Sequence, residues 1–195
     1  MAYRLILASQ SPRRQALLRE MGLVFTAQGA NIQEDFPDTL PAQEVPVFLA
    51  QAKATAMQSG LTEQDLLITA DTIVVLGNQI INKPLNKPDA VAMLQRLSGK
   101  PHLVYTGVCL QGLGKSETFV EKTTVYFRPL TTAQIQHYVD VYAPLDKAGA
   151  YGIQDWIGLI GVERIEGCFY NVMGLPTSRL YAELEKAGWL KLVKS

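Results

Sequence analysis

The chain has 195 residues, and at ~150 residues per domain that fits one domain or two small lobes and excludes a repeat array. Its 18 basic residues balance 18 acidic ones, so no basic field marks a general nucleic-acid or membrane-surface binder. Apolar residues make up 48% of the chain, which excludes disorder, and two cysteines, Cys109 and Cys168, are too few for a disulfide framework or a Cys-rich zinc site.

The stretch 1–8 is apolar too briefly for a signal peptide, and no run approaches the ~18 apolar residues of a membrane span. A cytoplasmic protein with two free thiols is expected. Residues 3–8 read as a buried strand. Ser11 and Pro12 mark a helix start, Leu17, Leu18 and Met21 give that helix an apolar face, and Gly22 stops it. Residues 23–27 predict a short strand, and 28–40 a polar loop holding Glu34 and Asp35. A helix over 42–59 follows, with Val45, Phe48, Leu49, Ala52 and Ala56 on one face and Lys53 at its edge.

Residues 66–76 read as one strand, and Gly77-Asn78 as a tight hairpin into 79–81. Pro88 opens a helix that turns Ala90, Val91, Leu94 and Leu97 inward. Segments 102–111 and 117–128 predict an antiparallel hairpin around Gly112-Leu113-Gly114. Thr131 to Gln134 has the form of a capping box for a helix through Tyr142. The glycine-rich stretch 146–152 interrupts regular structure. A strand pair is expected around 156–172 and a helix over 176–187. Mixing β-α units with hairpins predicts an α/β or α+β chain with a mixed sheet, an order compatible with two lobes around a cleft.

Four constellations carry candidate chemistry. In Ser9-Gln10-Ser11-Pro12-Arg13-Arg14, two arginines occupy the first turn of a helix, the positive end of its dipole. Free backbone N–H groups and two guanidinium forks make a phosphate cradle, the plain alternative being two solvated arginines. Asp71 interrupts an apolar strand, where an unpaired carboxylate is costly. A metal ion or a polarised water would partner it, and a strand end would equally explain it. Lys53, Lys83 and Lys147 are each explained singly by snorkelling or loop exposure. Between Asp146 and Asp155, glycines permit close backbone approach to a ligand, Tyr151 offers a stacking ring and Gln154 an amide for a base edge; an ordinary loop is the alternative.

Two motifs are set aside. Gly114-Lys115-Ser116 ends like a P-loop, but Cys109 stands where its first glycine belongs and the context is strand–turn–strand. His102 and His137 are too isolated for a metal cluster or a triad, and Asp140 reads as a surface partner of His137.

The segment Leu7-Ala8-Ser9-Gln10-Ser11-Pro12-Arg13-Arg14 resembles the N-terminal signature of the Maf family of nucleoside triphosphate pyrophosphatases. Further segments match in order: Glu34, Leu49 to Ala54 around Lys53, Ala70-Asp71-Thr72-Ile73-Val74, Lys83-Pro84, Ser98 to His102, Thr106-Gly107-Val108, Pro144 to Gln154 and Asn171 to Pro176. The resemblance covers about the whole chain, 1–195, as one Maf-like domain. It implies a two-lobed α/β fold of the inosine-triphosphatase-like kind, with a mixed sheet and one central active-site cleft. It implies hydrolysis of a nucleotide between the α and β phosphates, a divalent cation (Mg2+ or Mn2+) and often a homodimer, with neither nucleic acid nor membrane as partner.

The resemblance also assigns roles. Asp71 is the catalytic carboxylate, and Glu34 and Asp71 hold the cation. Ser9, Ser11, Arg13, Arg14, Lys53, Lys83 and Lys147 bind phosphates. Arg13, Thr72 and Gln154 select the base and look like the dTTP/UTP branch; in the 7-methyl-GTP branch an aromatic residue commonly replaces the first arginine. Three positions depart from the pattern: Asn82 and Ala143 stand where Glu is common, and Asp155 where Gly is common. Modified pyrimidine nucleotides are compatible substrates. A 7-methyl-GTP pyrophosphatase and a nucleotide-binding cell-division protein with little turnover are the alternatives.

Overall fold

A computed structural model describes residues 3–30 and 32–190. Met1 and Ala2 of the apolar start, and Asn31 of the polar loop, lie outside the described residues. The chain divides into two compact units, the first made of 1–71, 106–120 and 174–195, the second of 72–105 and 121–173.

In the first unit, β1 (Arg4–Leu7) pairs in parallel with β2 (Phe25–Ala27) and with β3 (Asp65–Leu76), so that Leu5 faces both Phe25 and Leu66. The crossover from β1 to β2 is α1 (Pro12–Glu20), which buries Leu17 and Leu18. Arg4 locks the start of the β1–β3 pairing by donating from Nε and Nη2 to the two oxygens of Asp65, at 2.6 and 2.9 Å. Later in the chain, α7 (Thr177–Lys186) buries Leu180 and Leu184.

The helix α2 (Val45–Met57) departs from its predicted face. Val45, Pro46, Leu49, Ala50, Lys53 and Ala54 are buried, whereas Phe48 and Ala56 are exposed and Ala52 is half-buried. Small residues, not the large Phe48, form the contact: Ala50 and Ala54 cluster with Ala8, Leu67 and Cys109. The reason is close approach. A Cβ at Gly107 would lie 2.3 Å from both the Pro46 carbonyl carbon and the Val47 nitrogen, so the missing side chain admits the helix backbone. The Thr69 hydroxyl ties the strand to the helix, donating to the Ala50 carbonyl at 2.6 Å.

In the second unit, β3 turns through Gly77-Asn78 into β4 (Gln79–Ile81), with Val74 opposite Ile81. Asn86 caps α3 (Lys87–Leu97), which buries Ala90, Leu94 and Leu97. The long strands β5 (Pro101–Gly112) and β6 (Lys115–Phe127), whose 106–120 portion belongs to the first unit, are joined by two residues, a link that forces an antiparallel hairpin. The capping box at Thr131 and Gln134 is present and opens α4 (Thr132–Tyr142). After it come α5 (Trp156–Gly161), β7 (Val162–Glu166) and α6 (Phe169–Met173). Val74, Leu94, Val104, Phe127, Ile135, Tyr138 and Ile157 lie in the unit's core.

Only one strand, β7, stands where a strand pair was expected around 156–172. Periodicity cannot separate a short buried strand from a short buried helix, and Trp156-Ile157-Gly158-Leu159-Ile160-Gly161 is such a run. The run forms a helical turn, and Gly158 permits it: a Cβ there would sit 1.8 Å from the Ile153 carbonyl oxygen.

The sheet order is β2-β1-β3-β5-β6-β7, with β4 also on β3. Parallel pairs at β1 and antiparallel pairs at β3–β4 and β6–β7 make it a mixed α/β sheet, as expected. Both cysteines are free thiols. No helix among the described residues is long and apolar enough to cross a membrane.

Candidate active site

The loop from β1 into α1 builds the first part of the site. Ser11 caps the helix by accepting from the Arg14 N–H at 3.4 Å, and Pro12 fits the first turn because it has no N–H to leave unpaired. The Ser11 N–H itself donates to Ser9 Oγ at 3.2 Å. No acidic side chain sits in that first turn, so the positive end of the helix keeps its field.

Arg14 is not a solvated surface arginine. It is half-buried, donates from Nε to the Gly174 carbonyl at 2.8 Å and from Nη1 to Ser9 Oγ at 3.5 Å. Burial lowers its pKa from the ordinary value, the Asp71 carboxylate raises it, the Arg13 guanidinium lowers it and Glu34 raises it. Asp71, Arg13 and Glu34 are thus all near enough to act on the Arg14 charge.

Lys53 gathers the carboxylates. It is 8% exposed, on the buried face of α2 and not at its edge. Its Nζ donates to Asp71 Oδ1 at 2.6 Å and to Glu34 Oε1 at 2.8 Å. Asp71 is 7% exposed and is held inside β3, so the strand-end explanation fails. A buried carboxylate in an apolar strand needs a charged partner, and Lys53 is that partner.

Two carboxylates converging on one ammonium are also a donor set that suits a hard cation. Mg2+ binds through one or two carboxylates and takes its other ligands from waters and substrate phosphates. Glu34 and Asp71 fit that pattern. No group of three or more His, Cys, Asp or Glu among the described residues is placed to hold a metal by itself.

The second unit holds the remaining candidates. Thr72 follows Asp71 on β3 and is half-buried; strand alternation directs the two side chains to opposite faces. Lys83 is exposed and follows Asn82, whose carbonyl accepts from the Gly149 N–H at 3.1 Å, so the Lys83 loop is bonded to the 146–152 loop. Lys147 is half-buried, with Nζ 2.9 Å from Asp146 Oδ1 and 3.8 Å from Asp155 Oδ2. Gln154 is half-buried and donates from Nε2 to Asp155 Oδ1 at 3.0 Å. Ala143 closes α4 in the left-handed conformation and is exposed, as is Asn82.

Tyr151 does not offer its ring to a ligand. It is buried edge-on against Phe127 and His102, and its hydroxyl is 2.7 Å from His102 Nε2. Asp140 faces Lys87 and Gln136, while the His137 ring packs on Trp156. Sequence reasoning gave no role to Tyr138, whose hydroxyl donates to Asp155 Oδ2 at 2.7 Å and accepts from the Gly152 N–H at 3.1 Å.

The sequence profile described as "Maf-like protein" matches residues 4–187. A Phocaeicola vulgatus protein named dTTP/UTP pyrophosphatase is 49% identical over 185 residues, 94% of this chain and 96% of its own. A Porphyromonas gingivalis protein of the same name is 45% identical over 189 residues, 95% of each chain. Among solved structures, a HAM1 protein from Coxiella burnetii aligns at a TM-score of 0.40 and 16% identity, over 63% of this chain and 70% of that one. That score is too low to define a common fold. The full-length matches in sequence establish the family: the chain belongs to the Maf family.

Proposed function

We propose that the protein is a nucleoside triphosphate pyrophosphatase that hydrolyses dTTP and UTP to the monophosphate and pyrophosphate. The observation that carries this reading is the buried Lys53 joining Asp71 and Glu34 in the first unit, in the same field as Arg13 and Arg14 at an uncompensated helix N-terminus. The names of the relatives support the reaction and the pyrimidine branch.

Water adds across the α–β anhydride: its oxygen bonds to phosphorus, the bridging P–O bond breaks, and pyrophosphate leaves. Asp71 orients the water and takes its proton. Lys53 fixes that carboxylate in place by donating to its Oδ1. Backbone N–H groups after Ser11, with Arg13 and Arg14, neutralise phosphate charge, and Lys83 and Lys147 carry the rest. Glu34 and Asp71 would hold a divalent cation such as Mg2+ or Mn2+, which would supply further neutralisation of the phosphates. Thr72 and Gln154 read the base.

Pyrophosphate release from a nucleotide panel, with magnesium, manganese or EDTA, tests the reading. Metal-dependent release from dTTP and UTP is expected. Asp71→Asn should fold normally and lower kcat by ~10²-fold or more, the range of lost general-base catalysis. Unchanged turnover removes Asp71 from the chemistry. Release chiefly from 7-methyl-GTP keeps the reaction and overturns the branch. Binding without release by folded protein replaces the enzyme with a nucleotide-responsive regulator.

A further inference from the structure

The two carboxylates whose chemistry suits a divalent cation are already bridged by a positive centre. Lys53 Nζ donates to Asp71 Oδ1 at 2.6 Å and to Glu34 Oε1 at 2.8 Å. One ammonium therefore makes the contacts to both carboxylates that a cation there would make.

This bridge is not a loose surface contact. Lys53 extends from the buried face of α2, and the Asp71 side chain, inside β3, is 10% exposed. Glu34 differs: its side chain is 41% exposed, so an ion reaches the pair from the Glu34 side. Charge opposes a simple addition. Two carboxylates already face one ammonium, and the Arg14 guanidinium is near enough to feel both of them. A doubly charged ion set beside that ammonium meets repulsion at a few ångströms, in surroundings that screen poorly. Mg2+ also demands oxygens at ~2.1 Å in near-octahedral array, which an ammonium on the same oxygens obstructs.

We propose that Lys53 is a positioning residue that stands in for the metal: its ammonium and a divalent cation compete for Asp71 and Glu34, and the cation enters only as Lys53 lets go. The inference rests on the proposed reading of Glu34 and Asp71 as cation ligands in a nucleotide hydrolase. A displaced ammonium needs a new anion, and a nucleotide phosphate is one. Metal and nucleotide therefore favour each other's binding, because the nucleotide takes up the ammonium that the metal releases.

The experiment titrates Mn2+ alone, followed by the electron paramagnetic resonance of the free ion, into nucleotide-free wild type, Lys53→Met and Asp71→Asn. Lys53→Met should bind Mn2+ about tenfold or more tightly than the wild type, within the usual range of coupling between two ligands. Asp71→Asn should bind it more weakly than the wild type. A merely structural lysine, whose loss disorders the site, would lower Mn2+ affinity, so equal or weaker binding by Lys53→Met overturns the proposal. Loss of a charge by itself also raises affinity, so the place of Nζ is read directly in wild-type crystals soaked in Mn2+. The anomalous signal of the ion should lie at Asp71 and Glu34, with Lys53 Nζ out of hydrogen-bond reach of both. An ion at both carboxylates with the Nζ contacts intact overturns the competition, and this measurement decides the matter should Lys53→Met not fold. Soaked crystals with no Mn2+ at these carboxylates overturn the cation reading and this inference with it. A wild type that binds Mn2+ as expected but releases no pyrophosphate from UTP overturns the hydrolase and leaves the competition standing.

Discussion

At Lys53 two large terms oppose each other. Burying an ammonium and a carboxylate costs several kcal/mol each, and their attraction repays this only at close range. Contacts of 2.6 and 2.8 Å to Asp71 and Glu34 meet that condition. Lys53→Met keeps the side-chain bulk and leaves Asp71 buried without its partner. Breaking such a pair costs ~3–5 kcal/mol, and the lower end applies because the Glu34 side chain is 41% exposed. Urea unfolding at pH 7 should show a loss of about 3 kcal/mol, together with lost turnover. Equal stability in the variant would mean that water already screens the pair. The identity of these residues was legible from the resemblance, but the pairing was not. Amphipathic spacing put Lys53 at the edge of an apolar stripe, because sequence alone weighs Phe48 above Ala50 and Ala54.

For the elements, backbone proximity overrides hydrophobic pattern. The α2 helix lies on its small residues because Gly107 lets the helix backbone reach β5. Gly107→Ala would put a methyl group 2.3 Å from backbone atoms of Pro46 and Val47, and neither can move without the helix. Since α2 carries Lys53, thermal unfolding should shift down by several degrees and pyrophosphate release should fall in the same variant. A stable, fully active Gly107→Ala protein would show that α2 can back away without cost. Elements with a local chemical signature were legible: the Ser11 cap, the Gly77-Asn78 hairpin and the Thr131 capping box all form. The strand pair around 156–172 was not, because periodicity does not separate a short buried strand from a short buried helix, and the close approach that only Gly158 allows is not written in the hydrophobic pattern.

For the molecule as a whole, pH links buried groups to stability. Burial against Phe127 and Tyr151 pushes His102 down to about 4, with a backbone hydrogen bond at Lys100 opposing it, from the ordinary 6.5. Below 6.5 the unfolded chain binds a proton that the folded chain refuses, so stability is full above that value and falls as pH drops toward 4. The loss amounts to about 3 kcal/mol at most. Asp65 behaves as a depressed carboxylate. The Arg4 hydrogen bond, then the Thr62 backbone N–H, hold it far below 3.8, so its contribution is present above 3.8 and lost in stronger acid. Unfolding free energy measured from pH 7 to 4 should therefore slope down in the wild type and flatten in His102→Gln. Matching slopes would show that His102 is hydrated when protonated.

The amino-acid sequence by itself determined the family, the mixed α/β class, the helix caps and turns, and the identities of the residues around Asp71. Those features rest on short-range chemistry or on ordered motifs, both of which are written along the chain. Tertiary structure alone decided which face of α2 is buried, that Lys53 joins Asp71 to Glu34, that Tyr151 is core, and that Tyr138 and Gln154 both donate to Asp155. Each of these depends on residues far apart in sequence whose side chains meet only when backbones approach closely. Hydrophobicity is a property of one residue, whereas a hydrogen-bond direction or a steric gap belongs to a pair.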